Sequence, residues 1–367
     1  PKDIISQSVA KALYGEVSPY SATRLERFAA CAFAHFLQYG MKLTERVEYE
    51  FKPMDMGNVM HEALESFAEE VRKRGMKWTE LTEQERNEIA DRCLDNIVAD
   101  YGNTVLKSSA RNEYMIERTR RILRRTVWAL QKQLEQGEFQ PEGFEVTFGG
   151  GRIDRVDIME DQNKVYVKVI DYKTGNTSFD LVYLYHGLQL QLMIYLDGAL
   201  RVEQKKYPDK EIIPAGVFYY NIKDPMIQEK IDADVEAVSA GLMKELKMNG
   251  LVQADPELVY RMDSSLGSIP VAFNKDGNFR KNSSVADRTQ FAVLGRYVRT
   301  KIEKIRSSIL EGDAEVSPYE LGKKNACTYC PYMTVCGFDR RLSGYEFRRL
   351  KNFSDEELWK AFDREAE

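Results

Sequence analysis

FEVTFGGGRIDRVDIMEDQNKVYVKVIDYKTG, residues 144–175, decides how this chain is read. Apolar and polar residues alternate along it, and turn-forming residues interrupt it at Gly149–Gly151 and Asp161–Asn163. Alternation with period two between turn signals predicts three antiparallel strands. The last apolar run holds Val165, Val167, Val169 and Ile170, and it ends in Asp171-Tyr172-Lys173. Side chains two apart on a strand share a face, so Asp171 and Lys173 point one way and Tyr172 the other. The strand before carries the stretch GRID, 151–154. If the two strands form a hairpin, Asp154 falls beside Asp171 on that face. Asp157 then faces the other side and, with Arg155, reads as an ion pair or a supporting group. Two carboxylates and a backbone carbonyl are hard oxygen donors suited to Mg²⁺. A lysine beside them orients a water and stabilises its hydroxide, which completes the parts for metal-assisted attack on a phosphodiester. Acid-x-lysine alone is a weak pattern, repeated at Glu50–Lys52, Glu203–Lys205 and Glu245–Lys247. Its bland reading is a strand-end ion pair of little worth. The upstream acid on a paired strand is what lifts Asp171 and Lys173 above it.

Outward from these strands the texture is helical. Ser21 caps a helix predicted over 21–40, with Leu25, Phe28, Ala29, Ala32 and Phe36 as its stripe. A second covers 57–75 through Met60, Ala63, Leu64, Phe67 and Val71. Thr82-x-x-Glu85 is a capping box that opens a third, striped by Ile89, Cys93, Ile97 and Tyr101. A fourth runs over about 110–136 and carries Arg118, Arg120, Arg121, Arg124 and Arg125. After the strands come a helix over about 181–202, a strand AGVFYY at 215–220, and helices over about 230–248 and 285–311. Helices, meander, helix, strand and helices predict one α/β unit with a helical elaboration.

Composition bounds the rest. A chain of 367 residues, 43% hydrophobic, can bury one large or two medium cores. Its net charge of −5 does not advertise nucleic-acid binding, so any phosphate-binding surface must be a local patch. No apolar run reaches membrane-spanning length, so no membrane is expected. The first residues contain neither an initiator Met nor a signal-peptide core, which reads as a segment of a longer polypeptide. Five cysteines speak against a disulfide scaffold and for a reducing, cytoplasmic setting. Cys327-x2-Cys330-x5-Cys336 is too tight a cluster for an ordinary core. Three thiols lack one ligand for Zn²⁺ or an iron–sulfur cluster. Cys31 is the better fourth, because Cys93 sits on a buried stripe. A distant single cysteine with a close triplet suits iron–sulfur better than the paired spacing usual for structural zinc. Such a centre would clamp the two ends of the chain and restrict its unfolded ensemble.

In order along the chain stand Cys31, GNVMH (57–61), GRID (151–154), DYK (171–173), QLMIY (191–195) and CTYCPYMTVC (327–336). This order resembles the RecB-type PD-(D/E)XK nucleases that carry an iron–sulfur cluster. More narrowly, it is similar to the C-terminal nuclease domains of the AddB family, which pair with an AddA-type helicase–nuclease subunit. The resemblance covers nearly the whole chain. It implies a restriction-endonuclease-like α/β fold, a central mixed β-sheet flanked by helices. It implies that Asp154, Asp171, the Tyr172 carbonyl and His61 bind Mg²⁺ or Mn²⁺, with His61 alternatively contacting phosphate. It makes Lys173 the catalytic lysine, has Gln191 and Tyr195 hold the DNA backbone and brace the site, and gives Cys31, Cys327, Cys330 and Cys336 a 4Fe–4S cluster. Without the resemblance, His61 reads as a helix-edge histidine and Gln191 and Tyr195 as amphipathic helix surface. Ala32 stands where relatives often have proline, which touches local helix geometry only.

The implied function is a metal-dependent exonuclease acting on single-stranded DNA from unwound duplex ends during double-strand break repair. Alternatives are a non-catalytic iron–sulfur platform for DNA or a partner, a redox carrier, and a stand-alone exonuclease of the same superfamily. The arginines of 118–125 read as a solvated helix face, or with Tyr183, Tyr185 and Tyr195 as the lining of a single-strand channel. The expected organisation is an extension over 1–20 and a nuclease domain over 21–340. Within it, 21–143 are mainly helical, 144–222 form the catalytic core, and 223–340 are helical and cysteine-rich. A tail over 341–367 follows.

Overall fold

A computed structural model describes residues 4–15, 20–44, 53–100, 110–149, 151–226 and 234–366. Parts of the predicted N-terminal extension, Tyr101 of the third predicted stripe, Gly150 of the first predicted turn and the start of the helix predicted over 230–248 lie outside the described residues.

Helix α1 (Gln7–Tyr14) leads to α2 (Ala22–Ala30), which starts at Ser21 as predicted; the Ser21 hydroxyl accepts the Arg24 N–H at 3.3 Å. The helix predicted over 21–40 does not run through. Cys31 is extended, with φ −165° and ψ 118°, and separates α2 from α3 (Ala32–His35), which continues into a π-helical turn, Phe36–Gly40. The cause is tertiary. The Phe33 N–H bonds the carbonyl of Glu315 at 3.0 Å, outside its own helix. Leu25 and Phe28 pack into the main core, whereas Cys31, Ala34 and Leu37 pack against Tyr332 of the cysteine-rich segment.

Helices α4 (Pro53–Lys73), α5 (Glu83–Asp100) and α6 (Ala110–Glu135) form one layer. The predicted stripe Met60, Ala63, Leu64, Phe67 and Val71 is buried with Ile89, Leu94 and Ile97 of α5. The predicted capping box forms: Thr82 N–H donates to Glu85 at 2.9 Å, and Glu85 N–H donates to the Thr82 hydroxyl at 3.3 Å.

Strands β1 (Gln140–Phe148), β2 (Gly151–Asp161) and β3 (Lys164–Lys173) make the predicted antiparallel meander. The helix predicted over 181–202 is two, α7 (Leu181–Tyr185) and α8 (Gln191–Lys206). Gly187, between them, has φ +78°, and a Cβ there would stand 3.2 Å from that of Ala29. Only glycine adopts that turn at so close an approach without strain. The crossover returns as β4 (Glu211–Asn221), parallel to β3. Beyond it, α9 (Val235–Glu245), β5 (Asn249–Gln253), α10 (Pro256–Met262), the short β6 (Val285–Ala286) and α11 (Arg288–Glu311) follow. Strands β5 and β6 extend the sheet beyond the sequence expectation; their apolar runs are too short for periodicity to reveal.

The six strands lie in sequence order in one mixed sheet. One face carries α4–α6; the other carries α2, α8 and α11. The α/β class and the mixed sheet flanked by helices are as expected. The cysteine-rich segment contains β7 (Tyr319–Leu321), β8 (Lys324–Asn325), α12 (Met333–Cys336) and β9 (Arg348–Arg349). The last helix, α13 (Asp355–Ala366), buries Leu358 and Phe362 in the core of the second face.

Candidate active site

Side-chain alternation sets the site. Val156 and Ile158 of β2 share a core with Val165, Val167 and Val169 of β3. Asp154 and Asp171 belong to the same two alternating rows. Arg155 pairs with Ile170, so the register continued by one residue sets Asp154 opposite Asp171. Arg155 and Asp157 face the other layer. There Asp157 is fully buried between Arg155, at 2.5 Å, and Lys168, at 3.0 Å. Burial alone would raise Asp157, and the two cations hold it below its usual range.

At the end of β3, Asp154 Oδ2 accepts the Tyr172 N–H at 2.7 Å. Lys173 Nζ lies 2.6 Å from Asp171 and donates to Gln191 Oε1 at 2.7 Å. Gln191 in turn donates to the Tyr195 hydroxyl at 2.9 Å, one turn further along α8. From α4, His61 Nδ1 stands 3.4 Å from Asp154 and 3.9 Å from Glu145. The structure therefore gathers all six side chains proposed from sequence, His61, Asp154, Asp171, Lys173, Gln191 and Tyr195, around the start of β2 and the end of β3, two interior strands of the sheet.

The electrostatics suit a cation. Burial pushes the Asp171 carboxyl up, the Asp154 charge adds to this, and Lys173 pulls it back; the net is upward. Burial lowers His61, but Asp154 and Glu145 outweigh it and raise it to about 10. Two carboxylates crowded out of water call for a positive charge between them. His61, Glu145 and Asp154 offer ligand atoms all within 4.8 Å of one another, a spacing that fits one divalent ion.

The family model for the PD-(D/E)XK nuclease superfamily matches residues 19–337. The chain belongs to this superfamily. Relatives that are B subunits of ATP-dependent helicase/deoxyribonucleases align over 99% of the chain. The one from Lachnoclostridium phytofermentans is 43% identical, and those from Thermoanaerobacter sp. (strain X514) and Clostridium acetobutylicum are each 35% identical. The aligned part is 33% or 34% of each relative, so the chain spans about a third of their length. The resemblance to AddB-type nuclease domains is thereby borne out.

Two acids beside these side chains escape sequence reasoning. Glu145 lies on β1 with its side chain 8% exposed, and its second oxygen is paired with Arg152. Its φ is +50° in mid-strand, a left-handed conformation that costs a non-glycine residue about 1–2 kcal/mol. Nothing in FEVTF announces that turn. Glu26 of α2 accepts the N–H groups of Leu190 and Gln191 at 2.7 and 3.0 Å, at the start of α8. Burial raises it to about 7, against those two hydrogen bonds and Lys173. The sequence signal was available: an acid among apolar stripe neighbours in RLERF.

Cys31, Cys327, Cys330 and Cys336 line one small cavity walled by Phe33, Ala34 and Tyr332. Burial, then the other three thiols, pushes Cys327 up to about 12. Cys93 is elsewhere, packed with Ile89 and Ile97 between α4 and α5. Four soft donors around one apolar pocket fit a thiolate-bound metal centre and no ordinary core. Among the described residues no helix is long and apolar enough to cross a membrane.

Proposed function

We propose that the chain is a metal-dependent deoxyribonuclease domain hydrolysing phosphodiester bonds of single-stranded DNA. The observation that carries this is the shared face of Asp154 and Asp171, with Lys173 fixed at 2.6 Å from Asp171. Asp154, Asp171, the Tyr172 carbonyl and His61 would hold Mg²⁺ or Mn²⁺, and Glu145 joins them. The bound cation supplies charge neutralisation at the scissile phosphate. The Lys173 ammonium, aimed by Gln191, stabilises the hydroxide character that develops on the attacking water. Tyr195 holds the Gln191 amide so that its oxygen stays turned to Lys173. Attack is in line: the water gives up its proton to solvent as its oxygen bonds phosphorus, and the bond to the 3′ or 5′ oxygen breaks opposite it, that oxygen taking a proton from solvent.

The four cysteines would hold a 4Fe–4S cluster that ties the N-terminal helices to the C-terminal segment; its role is structural. By analogy with the names of its relatives, the domain would serve a cytoplasmic helicase–nuclease subunit. It would pair with an AddA-type subunit and trim the unwound strand as an exonuclease in double-strand break processing and recombinational repair.

The test incubates linear single-stranded DNA with the protein and Mg²⁺ or Mn²⁺, beside the Asp171→Ala variant. Metal-dependent cleavage that vanishes in the variant is expected. Equal behaviour of the two proteins would leave a non-catalytic platform as the better reading.

A further inference from the structure

Helix α6 bears two rows of arginine with different surroundings. Arg120 is bound to Asp95 at 2.7 Å and to Glu117 at 3.3 Å, and Arg124 donates to Asp91 at 2.8 Å. That row is neutralised within the helical layer. The other row reads Tyr114, Arg118, Arg121, Arg125 and Trp128, at alternating helical steps of four and three that keep one face. Its inward neighbours Leu123, Val127 and Leu130 are buried, which fixes the row outward. It lines an open groove of about 740 Å³, whose far wall includes Val235, Val238 and Leu242 of α9. Glu83, Arg86 and Glu117 also reach the groove, as do Arg120 and Arg124, whose charges are already matched by Glu117, Asp95 and Asp91.

Among the described residues neither Arg118 nor Arg125 has a carboxylate partner. The Arg125 guanidinium lies 5.5 Å from the Trp128 ring centre, and Arg121 is steadied by Asp224 at 2.6 Å. Tyr114 is 64% exposed. The row extends about 21 Å at the rise of an α-helix. Positive charge flanked at both ends by an aromatic face, opposite an apolar wall, complements a chain of phosphates whose bases are free to stack. A duplex hides those faces, and an acidic peptide has no need of them. In a chain of net charge −5 this is a local exception.

Position ties the groove to the candidate site. Asp224 follows β4 closely, and Ile222 N–H bonds the Lys173 carbonyl at 2.7 Å. Tyr220 at the end of β4 packs in one core with Leu123 and Val127 of α6. Tyr183 and Tyr185 do not share this surface: Tyr183 lies against Lys324, and Tyr185 stacks on Tyr297.

We propose that the groove between α6 and α9 binds single-stranded nucleic acid, with Arg118 and Arg125 on its phosphates and Tyr114 and Trp128 beside its bases. Its role as a feed to the scissile site rests on the nuclease reading; its binding does not. The test therefore reads binding without cleavage: a labelled oligothymidylate is titrated into the whole chain in EDTA over a range of salt. Arg118→Ala/Arg125→Ala is expected to weaken binding about tenfold and to lower the slope of log K against log salt by about 1.4. Arg261→Ala, which removes an arginine paired with Glu138 and Asp161 outside the groove, is expected to change neither. Unchanged affinity and slope in the first variant overturn the proposal. So does an equal loss for duplex DNA of the same length, which would make the groove a general polyanion surface. Photocrosslinking of bromouracil-substituted DNA to the unaltered chain needs no variant. Adducts at Tyr114 or Trp128 are expected, and adducts confined to other regions would overturn the assignment. A protein that binds so but never cuts would refute the nuclease reading and leave this one standing.

Discussion

The Glu26 carboxylate accepts the backbone N–H of Gln191 at 3.0 Å, across 165 positions of sequence. This bond links the helix that ends at Cys31 to the helix whose first residue aims Lys173. The cysteine cavity and the acid–lysine pair are thus joined by α2 and one carboxylate.

If Glu26 works by placing Gln191, Glu26→Ala lowers kcat about tenfold with little change in KM, the worth of one buried charge-assisted hydrogen bond. Combined with Gln191→Ala, it should cost no more than Gln191→Ala alone, because both remove one interaction. Steady-state kinetics of the two single variants and the double variant decide it, and additive losses would rule the linkage out. Glu26→Gln keeps an acceptor oxygen and should retain most activity.

The same carboxylate sets a pH dependence. Its folded pKa of about 7 lies above the ordinary 4.5, so between those values the folded state holds a proton that the unfolded state has lost. Stability from Glu26 is complete below about pH 4.5 and is lost as pH rises through 7. Glu26→Gln should therefore gain Tm relative to the unaltered chain from pH 5 to pH 8. A parallel pair of Tm profiles would contradict this.

Glu145 holds a strained backbone that sets its carboxylate 3.9 Å from His61. Glu145→Gly relieves about 1 kcal/mol of left-handed strain. Tm should hold or rise despite the lost pair with Arg152. Divalent-metal affinity, read by calorimetry, should fall about tenfold or more. A fall of Tm by several degrees with unchanged metal affinity would make Glu145 a structural residue.

The thiols separate by place. Cys31→Ser should reduce bound iron and sulfide in anaerobically prepared protein to near background and lower Tm by several degrees. Cys93→Ser should leave the iron content as it was. Equal iron in both variants would remove Cys31 from the ligand set. Zinc in place of iron, with no visible absorbance, would replace the cluster by a zinc site.

Local patterns carried much of this molecule. The stripe of α4, the Thr82/Glu85 capping box and the β2–β3 alternation depend on contacts within a few residues, and each is formed as read. Alternation also put Asp154 with Asp171 and turned Asp157 away, because a strand's faces are set by its own backbone. The breaks at Cys31 and Gly187 were illegible. The first depends on a carbonyl at Glu315, and the second on the crowding of Ala29 against the turn. Glu145 was missed for the same reason, since its role is given by His61 and Asp154; the acid at Glu26 stood out among apolar neighbours, but its partners at the start of α8 did not. The sequence by itself determined which residues could share a strand face or a helix stripe. Only the tertiary structure decided which partners met there, because those contacts join segments far apart in the chain and leave no period in it.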